Sequence, residues 1–418
     1  MSTVLWLAGV VAMTMFGAFV TRLAYVRMLE RPARVAIAFA CGLVTGGVLM
    51  ALESLVHVSW SRATLFVPLV LAGCLWRRGE RVPMRAWTWT LLAIAAVLTC
   101  YGSLTARQST ADLLFFWGPK AVHFYGAEKI DFEFLAAPHY FLMHSDYPPL
   151  LPLVCAFGAV AAHAVSYWGA LLFSALCIVA AAVAFRGMAR PCLGEMRAAA
   201  FASLLAAALA YGLATSNAAG GADALLYLLA IVAVSALTFG AEDRGAHIVA
   251  AIALTGLVLV KVEGLPFALV ILAAYLVSRR RVAASLALAI VPLLAIGAWV
   301  FAIYHRHIAD AYTIGRKPFH PERIGEVMRW TAVRVNYRAA WLPWLAGIVP
   351  FAFARNPRRA LFPLLVTAGT IAATLFFYLQ GEESPKWWID SSAERVLLTS
   401  VALLIVAAAS SSGGETMC

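Results

Sequence analysis

Apolar, uncharged runs long enough to cross a lipid bilayer recur from one end of this chain to the other, separated by short connectors rich in arginine. A bilayer core about 30 Å thick requires roughly 20 apolar residues per helical crossing. In lipid each backbone N–H and C=O must find its partner inside the protein, so only helices or a closed barrel can cross. The runs are continuous in Ala, Leu and Val and show none of the period-two alternation of barrel strands. Helices are therefore predicted near 4–21, 35–52, 62–76, 86–104, 167–185, 198–215, 223–240, 246–260, 264–278, 283–302, 340–354, 360–379 and 396–411. Composition agrees, because 63% hydrophobic and 13% charged residues leave too little charge to coat a soluble domain. The predicted fold class is all-α: a polytopic transmembrane bundle of about 12–13 helices, residues 1–418 forming one integral membrane domain.

The formal charge of +11 invites a nucleic-acid partner, but the basic residues sit in short clusters between apolar runs, where topology accounts for them. These are Arg22, Arg27, Arg31 and Arg34; Arg77, Arg78, Arg81 and Arg85; Arg186, Arg190 and Arg197; Arg279, Arg280 and Arg281; and Arg355, Arg358 and Arg359. By the positive-inside rule all belong on the cytoplasmic face. That holds if Pro148–His163 lies along the membrane or re-enters it instead of crossing. The mixed loops 105–147, 303–339 and 380–395, and the turns at Asn217–Asp223 and Lys261–Glu263, then fall on the opposite, periplasmic face of a cell membrane. Met1–Val20 has no basic n-region and is read as a retained first helix. Seven scattered cysteines with no CxxC spacing, Cys418 among them, argue against a disulfide framework or a zinc site. No P-loop or dinucleotide glycine fingerprint occurs.

The first long loop, from Ser109, carries the candidate chemistry. Asp112 follows a predicted helix and precedes Leu-Leu-Phe115-Phe116-Trp117, and isolated charges alternate with aromatics as far as Asp146. Such a segment should fold as short amphipathic helices at the membrane surface. A partly desolvated carboxylate suits proton abstraction, and aspartate is equally common as a helix cap. Both roles stay open for Asp112.

The order Asp112…Trp117-Gly-Pro-Lys120-Ala, then Asp146-Tyr147-Pro148-Pro149-Leu150, resembles the GT-C superfamily of membrane glycosyltransferases. That group includes protein O-mannosyltransferases, aminoarabinose transferases and bacterial enzymes that use polyprenyl-phosphate sugars. Gly220-Gly221-Ala222-Asp223, Lys261-Val262-Glu263-Gly264 and Ser392-Ala393-Glu394-Arg395 extend the resemblance over most of the chain. It implies a transferase moving one sugar from a polyprenyl-phosphate donor to a glycan, lipid or protein acceptor outside the cytoplasm, with inversion. Asp112 and Asp146 are then the candidate catalytic acids. Lys120, Tyr147, Asp223, Lys261, Glu263, Arg395 and Trp387 are candidates for substrate binding, with Arg316, Lys317 and Lys386 as further cations. His123, His139 and His144 are candidates for acid–base or metal chemistry, and Trp388 for an aromatic wall. Asp112 has no acidic neighbour of the Asp-x-Asp kind, so a divalent metal is possible but not specified. Several helices precede the loop, so the shared core is expected to begin near Ala86, with 1–85 additional. The rival reading is a transporter or lipid flippase, in which intramembrane charges mark a substrate path.

Overall fold

Each predicted span carries a helix. The computed structural model describes residues 2–79, 86–105, 111–137, 144–216, 219–308, 318–354, 356–380 and 384–413. Ser109, Arg81, Arg85, His139, Asn217, Arg316, Lys317, Arg355 and Cys418 lie outside them. α1 (Ser2–Ala12) continues through a 3-10 segment, Met13–Arg22, to the four-residue α2 (Ala24–Arg27). α3 (Arg31–Leu55), α4 (Arg62–Gly73) and α5 (Ala86–Thr105) follow. A π-helical turn, Leu113–Trp117, leads into α6 (Gly118–Ala127) and α7 (Phe132–Ala136), the short helices expected in the first loop. Then come α8 (Leu150–Ala162), α9 (Tyr167–Leu193), α10 (Glu195–Thr215), α11 (Asp223–Phe239), α12 (Arg244–Val260) and α13 (Gly264–Arg279). α14 (Val282–His305), α15 (Ile324–Asn336), α16 (Leu342–Ala352), α17 (Leu361–Tyr378) and α18 (Pro385–Ser411) complete the bundle. Among the described residues, eight helical stretches are long and apolar enough to cross a membrane, and six apolar helices are shorter. The chain is a polytopic all-α membrane bundle.

Two loops are more ordered than their composition suggests. The 303–339 connection contains α15. The 380–395 segment is helical from Pro385, so the last helix starts eleven residues before the predicted 396. Its start is chemically specified: Ser384 Oγ accepts from Trp387 N–H at 3.3 Å, and Pro385 takes the first helical position. Lys386, Asp390 and Glu394 recur every fourth residue, and Lys386 pairs with Asp390 one turn on. The charges that ended the apolar run thus lie along one face of the same helix.

Short helices at the centre shape the rest. α11 has 17 residues, about 25 Å at 1.5 Å per residue, less than a bilayer core. Every residue from Asp223 to Leu237 is buried, so α11 is a post inside the bundle, packed on α9, α12 and α18. α8, at 13 residues, is shorter still and is buried from Leu150 to Val160. Close approach of backbones holds the N-terminal helices in place. A Cβ at Gly17 would stand 2.0 Å from the Ala38 carbonyl oxygen of α3, and one at Gly42 2.1 Å from that of Met13.

The basic clusters gather at one end of the bundle. Fully buried Arg186 of α9 pairs with Glu30 and Glu195. Arg190 Nε lies 2.9 Å from Glu195 Oε2, and Arg190 Nη1 lies 3.6 Å from Glu30 Oε2. Thr88 Oγ1 donates to Glu195 Oε1 at 2.7 Å, which brings α5 into the same network. Removing one member of a buried pair strands the other charge at a cost of roughly 3–5 kcal/mol. Arg186→Met should therefore lower the thermal unfolding midpoint of the detergent-solubilised protein, and adding Glu30→Gln should restore part of it. An unchanged midpoint in the single variant would show that this network does not hold the helices together.

Candidate active site

At the opposite end, short helices stop below the surface and leave charged residues at depth. Lys261 caps the C-terminus of α12 in extended backbone, and Glu263 precedes α13. The turn between them is tight: a Cβ at Gly264 would stand 1.8 Å from the Leu257 carbonyl oxygen, so only glycine fits. Lys261 Nζ consequently lies 3.1 Å from Glu263 Oε1. Asp223 opens α11 after Gly220, whose φ of 74° is left-handed and whose N–H donates to Ser174 Oγ at 2.8 Å. Lys261 Nζ donates to Asp223 Oδ1 at 3.3 Å. Arg395, three turns into α18, directs Nη1 at Asp223 Oδ2, 3.5 Å away, and at Asp112 Oδ2 in direct contact. The result is one alternating row: Asp112, Arg395, Asp223, Lys261, Glu263.

Asp112 does not cap its own helix. Asp112 has helical backbone angles and makes no side-chain cap hydrogen bond. Its carboxylate is spent on Arg395, 283 residues further along the chain, and not on its own helix.

Asp112, Arg395, Lys261 and Glu263 form one side of a cavity of about 290 Å³. Aromatics of the first loop, Phe116, Trp117, His144 and Tyr147, make a second wall. The third comes from α17 and α18, with Thr374, Phe377, Tyr378, Trp388 and Ser392. Asp223, 1% exposed, sits beneath as the anchor common to both cations. Trp387, half-exposed, stands at the rim with its ring perpendicular to Trp388, centroids 4.9 Å apart. α17's share of the wall escaped the sequence reading. The signal was a polar stripe, Thr367, Thr370, Thr374 and Tyr378, spaced three or four residues apart on an otherwise apolar helix.

Lys120 and Asp146 lie behind this wall instead of on it. Lys120 is buried, donates to the His144 carbonyl, and sits over the rings of Trp117 and Tyr147 at 5.2 and 5.8 Å. The backbone carbonyl of Asp146 accepts from Trp299 Nε1 at 2.9 Å. Lys120 thus braces Trp117, His144 and Tyr147, which do face the cavity, and Asp146 ties the loop to Trp299 of α14. His123 stacks on Phe134 with centroids 3.6 Å apart, and it is not among the lining residues. Among the described residues no three His, Cys, Asp or Glu side chains converge on a metal-sized point; in the row the cations stand between the acids.

Burial lowers the Lys120 ammonium from 10.5 to about 7, partly opposed by the Asp146 carboxylate. An unfolded chain keeps that proton up to the ordinary lysine value. Between about 7 and 10.5 the unfolded state therefore binds more protons, and stability attributable to Lys120 rises with pH across that window. Thermal midpoints of the native protein and of Lys120→Met, recorded side by side from pH 7 to pH 10 (about the limits set by the two values), should diverge in favour of the native protein. Parallel curves would show that Lys120 keeps its proton in the folded state.

Residues 146–305 match the model of the dolichyl-phosphate-mannose-protein mannosyltransferase family. The match, which covers less than half of the chain, takes in Asp146, Tyr147, Asp223, Lys261 and Glu263 and leaves out Asp112, Trp387 and Arg395. No curated protein and no solved structure gives a significant match. Over α8 to α14, then, the chain is similar to a GT-C type of membrane glycosyltransferase, the superfamily its motifs resemble.

Proposed function

We propose that this chain transfers a sugar from a polyprenyl-phosphate donor to an acceptor hydroxyl on the non-cytoplasmic side of the membrane. The family match supports membrane glycosyl transfer in general. The observation that carries the finer reading is the meeting of Asp112 and Arg395 at the wall of an aromatic-lined cavity, at the end of the bundle away from the arginine clusters. If those clusters face the cytoplasm, the cavity opens to the other side.

In this reading the acceptor oxygen attacks the anomeric carbon, and Asp112 takes the hydroxyl proton. The bond from that carbon to the lipid phosphate oxygen breaks, and the phosphate leaves with the electron pair. One displacement inverts the anomeric centre. The growing charge on the leaving phosphate calls for a preorganised cation, and Arg395 at the cavity wall is suited to bind it in a forked geometry. The same contact makes Asp112 available: when Arg395 turns to the phosphate, the carboxylate loses its partner and becomes a base. The row supplies two cations against three carboxylates, so an arriving phosphate must compete for Arg395, and Asp223 remains to hold the guanidinium in place. Aromatic faces such as Trp388 and Tyr147 fit the apolar faces of a sugar ring.

Asp112→Asn keeps the side chain's shape and cannot take a proton. Sugar transfer by the purified variant should fall about 10²–10⁴-fold, while donor binding persists and tightens, because Arg395 has one competitor fewer and Asp223 still holds the guanidinium in the fold. Near-normal transfer would remove Asp112 from the reaction. Arg395→Met should weaken donor binding by at least about tenfold, since a charge-assisted contact to phosphate is worth roughly 1.5–3 kcal/mol. Unchanged donor affinity in that variant would rule out Arg395 as the phosphate ligand.

A further inference from the structure

A second cavity, of about 480 Å³, lies at the arginine-rich end of the bundle and takes no part in the proposed chemistry. It is bounded by α2, the C-terminal ends of α9, α11, α13 and α18, and the N-terminal end of α17. Three guanidinium-bearing residues line it: exposed Arg279 and Arg358, and half-buried Arg359. Its two acids are already engaged. Glu242 pairs with Arg281, and Asp243 Oδ1 accepts the N–H of Gly245 at 2.6 Å to cap α12. Three guanidinium groups against two carboxylates, one of them paired with Arg281, leave net positive charge at the opening. The deeper wall is apolar, with Met188, Phe239 and Phe362.

Tyr25 supplies the independent sign of a ligand. It is 7% exposed, faces the cavity, and its hydroxyl has no hydrogen-bond partner. Its ring is wedged against Gly240, where a Cβ would stand 2.7 Å from it, so the hydroxyl is held in place. A buried donor without a partner is costly, and an anionic oxygen seated among the arginines would satisfy it. We propose that this cavity binds the phosphodiester headgroup of an anionic phospholipid. Phosphate chemistry follows from the arginines and the tyrosine hydroxyl. The lipid source follows from the apolar wall at the ends of membrane helices, the setting in which basic pockets hold acidic headgroups.

The test is native mass spectrometry of the full chain released from detergent, titrated separately with phosphatidylglycerol, phosphatidylcholine and inorganic phosphate. One phosphatidylglycerol should be retained at concentrations where phosphatidylcholine is not. Arg279→Gln combined with Arg358→Gln should weaken retention by at least about tenfold, as expected for two lost charge-assisted contacts. Arg77→Gln combined with Arg78→Gln, which removes exposed charge outside the cavity, should leave retention unchanged. Tyr25→Phe deletes a hydroxyl that no protein group satisfies, so it should weaken retention several-fold without lowering the thermal midpoint; it serves even if the double variant fails to fold. Equal retention of both lipids, or native retention by Tyr25→Phe and the Arg279/Arg358 variant, would overturn the proposal. So would binding of inorganic phosphate without phosphatidylglycerol, which would put a soluble anion there.

Discussion

Arg395 stands between two carboxylates, Asp112 and Asp223, and Lys261 stands between Asp223 and Glu263. At membrane depth an isolated charge is expensive, so each member of this row is tolerable only while its neighbours are in place. Four separate elements must therefore agree in height: the π-helical turn after Asp112, the start of α11, the α12–α13 turn and the third turn of α18. Asp223 is the shared partner, and its position is fixed by Gly220, Ser174 and a helix with no lipid-facing side. The cavity, its aromatic walls and the lengths of the central helices all follow from keeping that row in register.

The helices were legible because lipid imposes one solution on an uncharged apolar run. Their ends were not, nor was α15, which forms no long uncharged run. α18 was read from 396 because Lys386, Asp390, Glu394 and Arg395 interrupt the apolar stretch; that the first three share a face is visible only when the helix is already assumed. The membership of the row was also readable, since Asp112, Asp223, Lys261, Glu263 and Arg395 are ionisable groups at the ends of apolar segments. Their pairing was not. Lys261 and Glu263, two residues apart, invite a local pair, whereas nothing local in sequence joins Asp112 to a residue 283 positions away. Lys120 and Asp146 looked equivalent to the others by composition. A layer of Trp117, His144 and Tyr147 separates them from the cavity, and one-dimensional patterning carries no information about such layers.

α11, α12, α13, α17 and α18 each have one end near the charged row and the other at the arginine-lined cavity. Because α11 is buried along nearly its whole length, the two cavities are separated by packed side chains. Close packing of this kind compresses little and transmits strain. A ligand that tightened the arginine-rich end would act on the helices whose other ends carry Asp223, Lys261 and Arg395.

The distance along the chain between Asp112 and Arg395 also imposes an order of assembly. Synthesis proceeds from the N-terminus, so Asp112 and Asp223 enter the membrane well before α18, the last of the described helices, is made. Until it inserts, Asp112 lies near the membrane without its cation and Asp223 has only Lys261. A chain interrupted before Arg395 therefore carries the mark of its own incompleteness, an uncompensated acid at the membrane surface.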